Sequence, residues 1–171
     1  MGCLYFISFR GAALMTYLSL KTLHILSAII LFGTGLGSAW YKWMADRKGN
    51  LVHINETNRQ VVLADWIFTT PAILIQPLTG FLMIYLSGWS WQSPWLLISV
   101  GLYLLAGACW LPVVFLQIKM AKLSAQALAD NKTLQANYKR LALYWFLLGI
   151  PAFIAMVIVV ILMVFKTTGG F

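Results

Sequence analysis

Leu141–Phe165 reads LALYWFLLGIPAFIAMVIVVILMVF, and no side chain in it carries a formal charge. A strand of a soluble protein ends after about 4–8 residues, whereas a helix that crosses hydrocarbon needs about 20 apolar ones in succession. A spanning β-barrel would alternate apolar and polar positions in segments of about ten residues, and this run is continuous. Lipid offers the backbone no partners, so a continuous apolar run of this length is read as a helix.

Three more such stretches lie upstream, at about Tyr17–Met44, Val61–Leu86 and Pro94–Gln117. The chain of 171 residues is 61% hydrophobic and 9% charged. A soluble domain is about 45–50% apolar and about 25% charged, so a soluble globule, a disordered tail and a collagen-like repeat are excluded. The expected architecture is all-α: one integral membrane four-helix bundle over residues 15–171. Met1–Leu14 resembles a short signal-peptide core, but Arg10 interrupts it and no small-residue cleavage site follows. Two readings stand: part of the protein, or an extension ahead of a start at Met15.

The charges are sorted. Nine of the 12 basic residues, Lys42, Arg47, Lys48, Arg59, Lys119, Lys122, Lys132, Lys139 and Arg140, fall at the end where spans one and two, and three and four, are joined. Basic loops stay cytoplasmic, so both termini are expected in the periplasm and the protein in a bacterial inner membrane. Only Arg10, Lys21 and Lys166 oppose this. The net charge of +8 is thus read as topology, not as a footprint for nucleic acid. Ser87–Gln92 carries Trp89 and Trp91 without charge, and reads as a tight turn with interfacial aromatic anchors. Ala121–Ala129 is alanine-rich and should continue span three as a helix. Cys3 and Cys109 are far apart and show neither disulfide nor zinc spacing.

Polar groups inside spans are costly and so are functional candidates. They are Lys21, His24, Asp65, Gln76 and Gln117, with Lys21 and Gln117 near span ends where they can snorkel. His24 shares a helix face with Ser27, Ala28, Leu31 and Gly35. It reads either as a histidine bonded to a neighbouring helix or as an axial ligand for haem iron. Its counterpart His53 lies in a loop. The GxxxG pair Gly33/Gly37 favours helix packing over cofactor contact.

Asp65, Thr69, Gln76 and Gly80 form a polar stripe on span two, and an Arg59–Asp65 ion pair would neutralise the carboxylate. Pro71 and Pro77 should kink that span and free carbonyls that Thr69 and Gln76 could satisfy. Tyr103, Gly107, Trp110 and Gln117 share a face of span three, as do Trp145, Gly149, Ala152 and Met156 on span four. By depth, His24 is level with Gln76–Gly80, Gly101–Tyr103 and Met156. Asp65 lies near the opposite side, beside Gln117, Trp145 and Trp43.

LKTLHIL (Leu20–Leu26), LADW (Leu63–Trp66), TTP (Thr69–Pro71), QPLTG (Gln76–Gly80) and LYLLAGACWLP (Leu102–Pro112) with Gln117 resemble the bacterial integral membrane family called domain of unknown function 2269. That resemblance implies a fold rather than an activity. More distantly, Leu20–His24 is similar to the first-helix motif of HemJ-type protoporphyrinogen oxidases, small four-helix membrane proteins in which that histidine is implicated in haem binding. CopD-type copper-resistance membrane proteins are also distantly similar. Only His24 carries over.

The expected function is a small haem b-binding or redox-linked membrane protein. His24 would be the metal ligand, with Ser27, Gly35, Gln76, Gly80, Tyr103 and Met156 around the ring. Asp65 and Arg59 would hold the cytoplasmic ends of the helices or relay protons, within a polar stripe or ion pair that includes Thr69 and Gln117, and the lipid bilayer, a second copy or a membrane redox protein would be its partners. Two alternatives accompany it: a cofactor-free structural or assembly subunit, and a small transporter or metal-handling component using Asp65 and Gln76.

Overall fold

The computed structural model describes residues 2–165, with side chains from Leu14 onward. The Cys3 and Arg10 side chains and Lys166 lie outside these described residues. The described chain is helical with no strand: α1 (Gly2–Lys48), α2 (Leu51–Ala64), a π-helical turn (Asp65–Thr69), α3 (Thr70–Ser87), α4 (Pro94–Ala129) and α5 (Ala136–Phe165). Four stretches are long and apolar enough to cross a membrane: Leu14–Lys48, Leu51–Ser87, Pro94–Ala129 and Ala136–Phe165.

The helices overrun the expected spans at the basic end. The expected polar loop from Asp46 to Gln60 is almost wholly helical. Its turn is Gly49 and Asn50, where Gly49 takes a left-handed φ of 72° and the Asn50 side chain caps α2 by accepting from the His53 N–H at 3.1 Å. A side-chain cap lets a helix begin within two residues of the last one, which apolar patterning does not register. The alanine-rich segment does continue α4, as its helix propensity predicts. At the opposite end, Gly88 (φ 67°) terminates α3, and Pro94 occupies the first turn of α4. Trp89 packs edge-to-face on Trp95 there, at 5.7 Å between centroids.

Packing is uneven. α4 and α5 form the most extensive pair, α1 lies on α3, and α2 lies on α4, but α1 and α5 barely touch. The largest core cluster sits at the basic end, around Ala45, Ile54, Val61, Val113, Met120, Tyr138, Leu141 and Trp145. Most other large apolar side chains face outward, as Leu78, Phe115 and Tyr85 do. A lipid-facing surface needs this composition.

One polar cluster ties the basic end together. Lys42 is 1% exposed, and its ammonium donates to Asp46 Oδ2 at 2.9 Å, Asn58 Oδ1 at 3.0 Å and Tyr138 Oη at 3.0 Å. All three of its protons are therefore used. Tyr138 donates to Asp46 Oδ1 at 2.7 Å, and Asn58 Nδ2 donates to Ser124 Oγ at 3.1 Å. Charge-assisted bonds join α1, α2 and α5, and the neutral Asn58–Ser124 bond adds α4.

The two ends of the Lys42–Asp46 pair differ in access to water, since the Asp46 side chain is 21% exposed. Removing the anion strands a buried cation, whereas removing the cation leaves an anion that solvent reaches. Asp46→Ala should therefore lower stability by about 3 kcal/mol or more, and Lys42→Met by less. Thermal unfolding of the two variants in one detergent checks the order, and a reversed order contradicts the assignment of Lys42 as the clamp's centre.

Candidate functional site

The polar candidates separate into two places. In the first, His24 Nδ1 meets Thr79 Oγ1 at 2.8 Å, and Gln76 Nε2 donates to the His24 carbonyl at 2.9 Å and to Ser27 Oγ at 3.0 Å. Thr79 Oγ1 also lies 2.7 Å from the Ile75 carbonyl, to which it donates. With its proton on that carbonyl, Thr79 accepts from the imidazole in the tautomer protonated at Nδ1; the opposite tautomer reverses the bond. Gly80 gives the imidazole room, because a Cβ there would stand 3.4 Å from His24 Cε1. His24, Ser27, Gln76 and Gly80 thus form the seam that binds α1 to α3, at the common depth expected of them.

The second place is a cavity of about 330 Å³ where α1 and α5 stand apart. Gly35, Tyr103 and Met156 line it, together with Asp65, Thr69, Trp110, Gln117 and Trp145. His24, Ser27, Gln76 and Gly80 do not. The seven residues expected around a haem are therefore divided between a packed seam and a separate cavity. The stripe Asp65–Thr69–Gln76–Gly80 is divided likewise, Asp65 and Thr69 facing the cavity and the other two the seam.

Arg59 does not pair with Asp65. Among the described residues the ion pairs are Lys42–Asp46 and Lys132–Asp130. Arg59 is exposed on α2, because six residues of helix turn it about 120° away from Asp65. The Asp65 Oδ1 atom instead accepts from Trp110 Nε1 at 3.2 Å. The carbonyl freed by Pro77 also finds another partner than the expected Thr69 or Gln76. Pro77 has no N–H for the Ile73 carbonyl, and the Tyr103 hydroxyl donates to it. In the π-turn the Asp65 carbonyl accepts from both the Thr70 backbone N–H and, at 3.0 Å, Thr70 Oγ1. Gly33 and Gly37 meet no neighbouring helix: a Cβ at Gly33 touches nothing within 4 Å, and one at Gly37 meets only Tyr41 of its own helix.

Two tryptophans orient the cavity's polar pair. An indole N–H only donates. Trp145 Nε1 lies 3.4 Å from Gln117 Oε1, which turns the amide nitrogen the other way. Trp110 engages Oδ1 of Asp65 and leaves Oδ2. The outcome is two buried atoms without a hydrogen-bond partner, Asp65 Oδ2 and Gln117 Nε2, on residues 9% and 3% exposed. Thr69 and Gln117 are hydrogen-bonding neighbours of the carboxyl, although neither closes a bond of standard geometry to Oδ2. Asp65 opens the π-helical turn, and such bulges in α-helices are frequent at functional sites.

A four-span helical bundle with an internal polar seam and an apolar cavity is an integral membrane protein. The chain belongs to the family described as predicted integral membrane protein (DUF2269), whose match covers residues 18–167. No curated protein and no solved structure matches the chain.

The Lys42 clamp and the Asp65–Trp110 and Gln117–Trp145 pairs were not apparent from sequence. Lys42 counted there as one more base at the cytoplasmic end. Its i,i+4 spacing to Asp46, and Asn55 and Asn58 on one face of an amphipathic α2, were the available signals.

The seam predicts graded mutational effects. Gly80→Ala should be tolerated, since its methyl reaches only van der Waals contact with the imidazole, while Gly80→Leu should separate α3 from α1. Gln76→Leu, which removes two interhelical bonds, should cost about 1 kcal/mol. Unfolding midpoints in detergent test this, and a Gly80→Leu variant as stable as wild type contradicts the close approach.

Proposed function

We propose that this protein binds a small lipophilic molecule in the cavity between α1, α4 and α5, with Asp65 and Gln117 as its polar recognition pair. The observation that carries this reading is the pair of unpartnered buried atoms on a cavity otherwise lined almost wholly by apolar groups. Ligand sites have this form: apolar walls, a few oriented polar groups, and volumes of about 300–1,000 Å³. In hydrocarbon an unsatisfied polar group costs several kcal/mol, so a bound partner for it is stabilising. The loose α1–α5 contact would admit the molecule sideways from the bilayer. In this reading the membrane is a bacterial inner membrane, and the basic end is cytoplasmic, as its nine bases favour.

Haem on His24 is the rival reading. The Nδ1–Thr79 contact supports it in the tautomer protonated at Nδ1, because such a bond leaves the Nε2 lone pair free as a metal ligand requires. The surroundings do not fit the group. The imidazole lies against Gly80, the described cavity does not reach it, and Gly35, Tyr103 and Met156 line that cavity instead. A metal-handling role through Asp65 and Gln76 lacks a donor set, since the described residues hold no cluster of three or more His, Cys, Asp or Glu.

Gly107 and Gly149 line the cavity, and a Cβ on either meets nothing within 4 Å. Gly107→Leu combined with Gly149→Leu should therefore fold and fill the space. Native mass spectrometry of protein extracted from its own membrane should find a bound small molecule on the wild type and none on the double variant. Identical spectra from the two proteins contradict the proposal.

A further inference from the structure

We infer that the cavity's ligand is a lipophilic alcohol or phenol, held by its hydroxyl between Asp65 Oδ2 and Gln117 Nε2. The inference rests on the cavity reading above and adds the chemistry of the head group. With Asp65 ionised, each orphaned atom has one role. Trp145 Nε1 can only donate, so Gln117 presents Oε1 to it and keeps Nε2 as a free donor. Trp110 Nε1 can only donate, so it takes Oδ1 of Asp65 and leaves Oδ2 as a free acceptor. The site therefore offers one donor and one acceptor, on cavity-lining side chains close enough to interact without closing a bond of standard geometry to each other.

A hydroxyl oxygen answers both, donating its proton to Oδ2 and accepting from Nε2. An ether or ketone accepts from Nε2 but leaves Oδ2 unpaired. An ammonium donates to Oδ2 but cannot accept from Nε2. An alkane answers neither. Beyond the polar pair the walls are Leu31, Phe32, Ile73, Phe153 and Ile154, which suit a hydrocarbon body. A site built to bond a hydroxyl rejects an analogue without it, because its own polar groups are then left unpaired.

The test uses the full-length protein in lipid nanodiscs and two photoreactive probes of equal chain length. One is a diazirine-bearing long-chain alcohol, and the other is its methyl ether. Labelling at Phe153 and Met156 is measured by mass spectrometry, with the outward-facing Phe115 as the gauge of probe in the bilayer. The alcohol should label the cavity about tenfold or more above the ether, the ratio expected for a bond to a carboxylate. Asp65→Leu and Gln117→Leu should each remove that preference. Because the alcohol and ether are compared on the wild type, the test survives a variant that fails to fold.

Equal cavity labelling by alcohol and ether, as when a water or a direct Asp65–Gln117 bond satisfies the pair, overturns the hydroxyl and leaves the cavity standing. Labelling by neither probe above the Phe115 level overturns the cavity reading as well.

Discussion

Hydrocarbon supplies no hydrogen bonds, so each polar group taken into this bundle must find its partner within the chain. That constraint shapes nearly every polar contact. Lys42 spends all three ammonium protons on Asp46, Asn58 and Tyr138. The carbonyl that Pro77 deprives of its helical donor is met by Tyr103 from another helix. Gln76 reaches across to the His24 carbonyl and Ser27. Against so complete a pairing, Asp65 Oδ2 and Gln117 Nε2 are informative because they are exceptions within one cavity. Trp95 Nε1, the third buried side-chain atom without a hydrogen-bond partner among the described residues, lies apart at the tryptophan turn.

The two ends of the molecule do different work. At the basic end, α1, α2, α4 and α5 are bolted by the Lys42 cluster over a core that includes Met120 and Trp145. Farther along, α1 turns to α3 through the His24 seam, and α5 stays with α4. The gap between the two pairs is the cavity. The clamp holds α1 and α5 together at the base, and the cavity lies farther along, where they stand apart.

Much of the fold was legible from residue type alone. Leu141–Phe165 and its three companion runs carry a helical reading because apolar length has one solution in lipid. Depth along those helices brought His24 level with Gln76 and Gly80. Facing was harder to read. Helical spacing put Asp65 and Gln76 on one stripe, but one faces the cavity and the other the His24 seam. Pairing was hardest, because Trp110, Trp145 and Tyr138 count as apolar or aromatic in a hydropathy pattern. Their N–H and O–H groups become decisive only once the helices are side by side. Gly33 and Gly37 marked a packing motif that no helix of this chain occupies.

The central claim is that α1 and α5 enclose a ligand whose head bonds Asp65 and Gln117. An electron cryomicroscopy map of the protein in nanodiscs of its native lipid tests it most directly. The account predicts continuous non-protein density in the cavity, ending within hydrogen-bond distance of both Asp65 Oδ2 and Gln117 Nε2. A map with α1 and α5 closed together, and Asp65 bonded directly to Gln117, would contradict it.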